Sequence, residues 1–374
     1  MVPEAAVQRR ASVKLAIVIG SLSRGGSERQ VVEFVRSAHP DHAECIVICL
    51  SADPGALAGE VRAVGAKVLT VGFEGVRSWK APAAVARLAA ILRAERPDAL
   101  YAFLFWSHVL ALPTAAVAAP HALRIAALRS SPITDVPRRR SLVPLRRPAL
   151  ALVHGAIANS DAVASEWTRS YRHLQGRVHV VPNGVQVREQ YIPRASDARV
   201  PTIICVANLI AYKGHETLLD ALAELTDVEW TLLLAGDGPC RSALEGHARR
   251  LGLDPRVKFL GTTADVAGLL SRADLAVLPS YTEGLPNAVL EAMANSLPVV
   301  ATDVGGVRQM LSCGAGTVVP ARDPRALADA IRHYLENADL RSRAGSLGRK
   351  EAGRNYRIPA MRDRTLAAVE AFVP

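Results

Sequence analysis

Glu283 and Glu291, with seven residues between them in Tyr281-Thr-Glu-Gly-Leu-Pro-Asn-Ala-Val-Leu-Glu291, are the side chains in this sequence whose types and spacing speak most directly of chemistry. They bracket a helix start. Apolar Leu275 to Leu278 ends at Pro279, a turn carries Gly284 and Pro286, and Asn287 to Ala294 reads as helical. Counted as eight helical steps of ~1.5 Å, the second carboxylate stands ~12 Å beyond the first, on a similar side. That is about the reach of a sugar nucleotide. Between the two lie the free N–H groups and positive dipole end of a helix, which favour an anion such as a diphosphate. Acidic residues near a helix start are also common for the dipole alone, and a Glu one turn further on is ordinarily a solvated face. The spacing therefore takes its meaning from its surroundings.

Three other turns supply them. Strand-like Ile203 to Ala207 runs into Asn208-Leu-Ile-Ala-Tyr-Lys-Gly-His215 and then a helix, so Lys213 stands where an ammonium could pair with a diphosphate. A lone lysine is otherwise a solvent-exposed one. Gly25-Gly26 follows the first strand and precedes the helix Ser27-Glu-Arg-Gln-Val-Val-Glu-Phe, a second candidate anion seat, because glycine lets a phosphate or sugar approach the backbone. Ala235-Gly-Asp-Gly-Pro239 is a third strand-to-helix turn, and Val257-Lys-Phe-Leu-Gly261 a short strand ending in glycine.

Something must position these turns, and the apolar patterning shows what. Strand-like runs alternate with helical patterns from Lys14 to Val319, seven before Asn183 and six after Val200. Runs apolar on both faces and separated by helices make doubly wound parallel sheets, here two of them. With 374 residues the chain exceeds one ordinary core. The turn Pro182-Asn-Gly-Val185 and polar Ile192 to Arg199 mark the boundary. The expected organisation is a Rossmann-like acceptor-side domain over 1–190, a Rossmann-like nucleotide-sugar domain over 191–355, and a C-terminal helix over 356–374 packing back on the first. The two sheets are expected to face each other across a cleft at their strands' carboxyl ends. Beyond Val319, Asp323 to Glu336, Asp339 to Arg354 and Pro359 to Phe372 read as successive helices.

Charge is unevenly spread. Residues 1–199 carry 26 Lys and Arg against 15 Asp and Glu, whereas residues 200–374 carry 19 against 20. One source is Arg138-Arg-Arg-Ser-Leu-Val-Pro-Leu-Arg-Arg147, which fits either a solvated loop or a stretch lying on an anionic membrane surface or a phosphorylated acceptor. Nucleic acid is not an expected partner, because the stretch has no aromatics for base stacking. The five cysteines form no C-x-x-C pair, which suggests reduced structural thiols in a cytoplasmic protein, with no zinc site. Residues 99–123 are uncharged and long enough to span a bilayer. Pro113, Pro120 and the strand-like start at Ala99 fit a buried strand and helix better.

In order along the chain, Gly25-Gly26, Ala158-Asn-Ser160, Val181-Pro-Asn-Gly-Val185, Lys213-Gly214, Ala235-Gly-Asp-Gly-Pro239, Phe259-Leu-Gly261 and Glu283 to Glu291 resemble the retaining glycosyltransferases of GT-B fold, family four, also called group 1. The resemblance implies that Glu283 contacts the donor sugar and that the amides of Gly284, Leu285, Asn287 and Ala288, around Pro286, hold the diphosphate. Glu291 would bind the ribose, Lys213 would neutralise the leaving diphosphate, and backbone from Val257 to Leu260 would read the base. Gly25 and Gly26 would close over donor or acceptor. Such enzymes often carry Arg five residues before the lysine, and here that position is Asn208, which cannot make a bidentate phosphate contact. Either Lys213 suffices or another arginine substitutes, with Arg129 as the candidate. His108, in an apolar run, is read as packing there.

The resemblance further implies catalysis without metal or other cofactor, and same-face attack in which the departing phosphate oxygen takes the acceptor's proton. The expected reaction moves a hexose or N-acetylhexosamine from a nucleoside diphosphate sugar, a UDP-sugar favoured, to a hydroxyl of a glycan or lipid-linked glycan in cell-surface polysaccharide synthesis. The place of action would be the cytoplasm, at the inner face of the membrane if the basic stretch docks there. Two alternatives keep the architecture: a nonhydrolysing sugar-nucleotide epimerase and a non-catalytic two-domain binding protein.

Overall fold

The computed structural model describes residues 13–75, 78–136, 140–187, 200–263 and 265–373. Thirteen strands alternate with helices along them. They are β1 (Val13–Ile19), β2 (Ala43–Cys49), β3 (Lys67–Thr70), β4 (Ala99–Phe103), β5 (Leu123–Leu128), β6 (Gly155–Ala158), β7 (Val178–Val180), β8 (Thr202–Val206), β9 (Thr231–Ala235), β10 (Val257–Gly261), β11 (Leu275–Leu278), β12 (Val299–Thr302) and β13 (Gly316–Val319). Every apolar run singled out from the sequence is one of these strands, displaced by at most two residues at an end.

The strands form two sheets, ordered β3-β2-β1-β4-β5-β6-β7 and β10-β9-β8-β11-β12-β13, and all their pairings are parallel. Counted from its own first strand, the second sheet has the doubly wound order 3-2-1-4-5-6. The order reverses between β1 and β4 in one sheet and between β8 and β11 in the other. At such a reversal neighbouring loops diverge and leave a crevice at the strands' carboxyl ends.

Parallel strands are apolar on both faces because helices cover both. In the second sheet Ile203, Cys205, Leu232, Leu234 and Val277 share one core with Leu218, Leu222, Leu327 and Ile331 of the helices His215–Ala223 and Pro324–Glu336. The alternate residues Ile204, Ala276, Leu278 and Ala301 share the opposite core with Leu290, Met293 and Met310 of the helices Asn287–Ala294 and Val307–Leu311. Each such Leu or Ile removed from water contributes about 1.5–3 kcal/mol.

The chain divides into two units: residues 1–159, 164–181 and 361–374 form the first, and 160–163 with 182–360 the second. The sequence reading set its breaks at 190/191 and 355/356. The polar stretch Ile192 to Arg199, used to place the first break, lies outside the described residues. The terminal helix Ile358–Ala371 returns to the first unit, where Arg362 donates to the Ser37 carbonyl at 3.2 Å and the Phe372 ring meets His179.

Two stretches flagged for membranes resolve locally. Residues 99–123 become β4, the helix Leu104–Ala118 with Pro113 inside it, and the start of β5, and no helix among the described residues is long and apolar enough to cross a membrane. In the basic stretch Arg138 and Arg139 lie outside the described residues, but Arg146 points inward and is 1% exposed. It donates to the Pro132 and Asp135 carbonyls, pairs with the Asp135 carboxylate at 3.2 Å and stacks 4.5 Å from the Trp167 ring centre. The uniformly surface-lying stretch expected from the sequence is corrected here. A guanidinium amid three aromatic rings serves the first unit's core, while Leu145 and Arg147 face out.

Candidate functional site

The loops leaving β8 and β11 meet at the reversal of the second sheet. Gly214 ends the first loop at φ +70°, and a Cβ there would fall 2.0 Å from the Pro279 carbonyl oxygen of the second. Only glycine permits both that backbone conformation and that approach. The Tyr281 N–H then reaches the Tyr212 carbonyl at 2.7 Å, and the Tyr281 hydroxyl lies 2.8 Å from Thr217 Oγ1.

This crossing brings Lys213 and Glu283 together, seventy residues apart in sequence. Lys213 Nζ lies 2.6 Å from Glu283 Oε1, the two side chains being 17% and 11% exposed. Ser280 Oγ donates to the same oxygen at 2.7 Å, and Thr302 Oγ1 in turn donates to the Ser280 carbonyl. Both contacts fall on Oε1, so the other carboxylate oxygen faces elsewhere. A lysine carries three N–H groups, so Nζ has donors beyond the one Glu283 takes.

The helix Asn287–Ala294 opens beside this pair. Its N-cap is Pro286, which has no N–H and makes no side-chain cap, so the first-turn donors receive nothing from that residue. The turn ahead of it is braced on several sides. Gly306 N–H donates to the Gly284 carbonyl at 2.7 Å, Ser160 Oγ to the same oxygen at 3.4 Å, and Asn183 Nδ2 to the Leu285 carbonyl at 2.8 Å. A Cβ on Gly305 would fall 2.4 Å from the carbonyl oxygens of both Glu283 and Gly284. Gly284, Leu285 and Pro286 are buried, Asn287 and Ala288 half-buried. Glu291 is half-buried one turn on, where Asn295 Nδ2 donates to its carbonyl at 2.8 Å. One expectation needs correction: Glu283 to Pro286 is a turn, so only the steps from Asn287 to Glu291 rise helically, and the ~12 Å of eight helical steps does not apply.

Other predicted residues take different places. Asn208 is exposed in the loop after β8. Gly236 and Gly238 act by close approach, their hypothetical Cβ atoms 2.0 Å from the Ala207 and 2.4 Å from the Leu209 carbonyl oxygen. Along β10 the Val257 side chain is buried and Leu260 is 40% exposed, while Arg241 takes the Phe259 carbonyl at 3.2 Å.

Gly25, Gly26 and Arg129 belong to the first unit. Gly25 caps the helix Gly26–Ala38, and a Cβ on it would lie 2.2 Å from Glu28 Oε2. The turn read from the sequence as a seat for an anion thus carries a carboxylate of its own, which burial pushes above its ordinary pKa. Arg129 follows β5, its guanidinium 5.8 Å from the Phe103 ring centre and hydrogen-bonded to Tyr101, with burial lowering its pKa. Leu104, at the end of β4, holds φ +68°, a strained conformation for a bulky residue at the first unit's own strand-order reversal. His108 is fully buried with Nε2 3.1 Å from the Ala102 carbonyl, and burial together with Arg146 holds its pKa down to about 3.

Burial also sets the groups beneath the Lys213–Glu283 pair. The Cys205 thiol is pushed up to about 12, with Lys213 pulling down and Glu283 pushing up. His215, 3% exposed and with neither ring nitrogen hydrogen-bonded, is lowered to about 4 by burial and by Lys213. Sequence reading missed Asn183, Ser160, Ser280 and the Gly305-Gly306 turn as parts of this site. Only Asn183 and Ser160 lay in motifs it had singled out, and nothing in those motifs said what they touch.

Comparison with known proteins agrees with this layout. The Glycosyltransferase Family 4 profile matches residues 24–189, and that of Glycosyl transferases group 1 matches residues 200–337. The alpha-D-kanosaminyltransferase of Streptomyces kanamyceticus is 32% identical over 260 residues, 67% of this chain and 62% of that protein. The N-acetyl-alpha-D-glucosaminyl L-malate synthase of Bacillus anthracis is 29% identical over 189 residues, 50% of this chain and 49% of that protein. The chain thus spans about half to three-fifths of these relatives' length. Anabaena HepE, solved with UDP and glucose, superposes with a TM-score of 0.82 at 23% identity, over 96% of this chain and 100% of that one. Sucrose-phosphate synthase of Thermosynechococcus elongatus gives 0.82 at 19%, over 96% and 99%. At such identities the solved structures speak to fold alone.

Proposed function

The chain belongs to the group 1 glycosyltransferases of GT-B fold, and on that premise we propose that it is a retaining hexosyltransferase. It moves a hexose or N-acetylhexosamine from a nucleoside diphosphate sugar, a UDP-sugar first, to a hydroxyl of a glycan or lipid-linked glycan in cell-surface polysaccharide synthesis. The observation that carries this is the Lys213–Glu283 pair, 2.6 Å apart, at the carboxyl ends of β8 and β11 and beside the start of the helix Asn287–Ala294, whose positive dipole end favours an anion.

In this reading the diphosphate lies on the amides of Asn287 and Ala288, and Lys213 supplies the cation. Charge grows on the departing diphosphate as the glycosidic bond breaks, and a preorganised ammonium stabilises that state more than the ground state. Glu283, its Oε1 committed to Lys213 and Ser280, offers its other oxygen to a sugar hydroxyl. Glu291, one turn along, accepts from the ribose hydroxyls. The departing phosphate oxygen takes the acceptor's proton on the face it leaves, which retains the anomeric configuration and asks for no metal ion. HepE, solved with UDP-glucose, supports the choice of UDP-sugar. The excess positive charge of residues 1–199, with Leu145 and Arg147 facing out, supports action at the inner membrane face on a lipid-linked acceptor.

The test is a thermal-shift screen of UDP-, GDP- and ADP-sugars on the wild type and Glu291→Ala, followed by NMR of the product anomer with and without EDTA. Binding by the wild type that Glu291→Ala weakens at least tenfold supports the assignment, and unchanged affinity for every sugar nucleotide sinks it. Asn208, uncharged where relatives often have Arg, motivates the non-catalytic alternative, which Lys213-dependent release of nucleoside diphosphate excludes. An isomerised sugar nucleotide formed without acceptor would instead mark an epimerase.

A further inference from the structure

We infer that Trp106, with Phe73 beside it, is the platform on which a pyranose ring of the acceptor stacks, the indole N–H donating to a hydroxyl of that ring. This rests on the glycosyltransferase reading proposed above and adds to it the residues that hold the acceptor.

Trp106 is the third residue of the helix Leu104–Ala118, directly beyond β4 and so at the carboxyl end of a strand where the order of the first sheet reverses. Leu104 turns the chain there at φ +68°, a strain of the kind that concentrates at ligand sites. The next residue is locked in place. The Phe105 N–H donates to Asp135 Oδ1 at 3.2 Å, and the buried Phe105 ring lies 5.4 Å from the Arg146 guanidinium. One residue on, about 100° further round the helix, Trp106 is half-buried with its ring centre 5.4 Å from that of Phe73, which is also half-buried. Phe73 follows β3 and is anchored by its N–H, which donates to the Leu50 carbonyl at 2.7 Å. The pair therefore joins the loops after β4 and β3, across the two strands that separate them in the sheet. A platform fixed in this way loses little freedom when a ligand settles on it.

The buried tryptophans show by contrast what is left open at this one. Trp167 and Trp230 are 0% and 1% exposed, and their indole N–H groups donate to the Ser130 and Leu225 carbonyls at 2.8 and 3.2 Å. A buried indole ordinarily finds such a partner. Tyr171 stacks on Trp167 at 25°, while Arg146 lies over Trp167 and Arg256 over Trp230. Among the described residues nothing accepts from the Trp106 N–H and no cation lies over its ring. Its two ring neighbours stand at 58° and 86° to it, so neither stacks on its face. An apolar face with one unspent donor at its edge complements a pyranose, which presents C–H groups on one face and hydroxyls around its rim. A hydrocarbon chain would have no use for the donor.

The measurement is acceptor KM, read as nucleoside diphosphate release at saturating sugar nucleotide, with donor KM and a thermal melt alongside. The probes are methyl and octyl glycosides of glucose, galactose, mannose and N-acetylglucosamine. Trp106→Ala is expected to raise acceptor KM about tenfold for methyl and octyl glycosides alike, with donor KM changed less than about twofold. Trp106→Phe keeps a ring and loses the N–H, so about threefold is expected, and it carries the comparison if alanine disrupts folding. Phe73→Leu is likewise expected to cost about threefold. Acceptor KM unchanged in the folded Trp106 variants, equal losses for donor and acceptor, or a loss confined to octyl glycosides overturns the inference and leaves the donor seat standing. Wild-type protein that binds a sugar nucleotide yet transfers to none of these glycosides does the same. Wild-type protein that binds no sugar nucleotide overturns both.

Discussion

Replacing Lys213 with Met removes the ammonium and keeps most of the stem, and it should separate the cost to the fold from the cost to the reaction. The pair is short, 2.6 Å, with side chains 17% and 11% exposed, so it is screened less than a surface pair. Two unit charges 4 Å apart attract by about 4 kcal/mol at an effective dielectric of 20, but desolvation of both groups offsets much of that. After the change Glu283 keeps the Ser280 hydroxyl at 2.7 Å and some solvent. The loss of stability should thus be about 1–2 kcal/mol, below the ~3–5 kcal/mol of a fully buried charge left unpaired. For a unit of this size that is a fall in Tm of roughly 2–8 °C. The reaction should suffer more. Removing one preorganised group from developing charge costs about 10²–10³ in kcat, roughly 2.7–4 kcal/mol. The assay is nucleoside diphosphate release at saturating donor in the presence of acceptor, alongside a calorimetric melt. A folded Lys213→Met protein with kcat within about fivefold of wild type would refute the role given to the lysine. A fall in Tm beyond about 12 °C would show the pair to be mainly a structural clamp.

Acid should destabilise the fold through its buried histidines. His215 at about 4 and His108 at about 3 lie below their unfolded value of 6.5, so their stabilisation is complete above pH 6.5 and drains as pH falls toward 4 and 3. Each adds up to ~1.4 kcal/mol per pH unit over that range, so His108→Asn should roughly halve the slope these two histidines give to stability between pH 6 and 4.5, and an unchanged slope would refute it. Gly214→Ala should cost about 2–4 kcal/mol and most donor affinity, since it combines a left-handed backbone with a Cβ 2.0 Å from the Pro279 carbonyl oxygen. Wild-type melting and binding would show that the two loops do not need that approach. Arg146→Met should cost about 3–5 kcal/mol by stranding the Asp135 carboxylate, while Arg147→Gln should stay within about 0.5 kcal/mol in denaturant titrations. Equal effects would mean that Arg146 is not the buried member.

How far the molecule could be read in advance differs from one element to the next. Val299–Thr302 and Leu275–Leu278 are apolar on both faces and fenced by helical patterns, so local composition alone identifies them as parallel strands. The helix start at Asn287 was likewise legible, because Pro286 and Gly284 punctuate the chain there. The eight-step spacing was not, because whether four residues continue a helix or turn before it depends on what braces them. Gly305, Gly306, Ser160 and Asn183 do that bracing, and all come from other parts of the chain. Arg146 shows the same limit in reverse. Five arginines in ten residues look alike in sequence, and only the Phe105, Trp167 and Tyr171 rings around one of them draw it inside.

Taken by itself, the sequence determined the thirteen strands, the two-sheet architecture and the glycine-marked turns, because periodicity and backbone permissiveness act within a few residues of each other. Only the tertiary structure decided which side chains meet. That Lys213 reaches Glu283 follows from the order of β8 and β11 in their sheet, which sets their following loops side by side at the reversal of strand order. That Asn183 faces Asn287 follows from a turn folding back over a hundred residues to a carbonyl that can only accept. Such contacts are non-local, and their geometry is fixed by packing that no window of sequence contains.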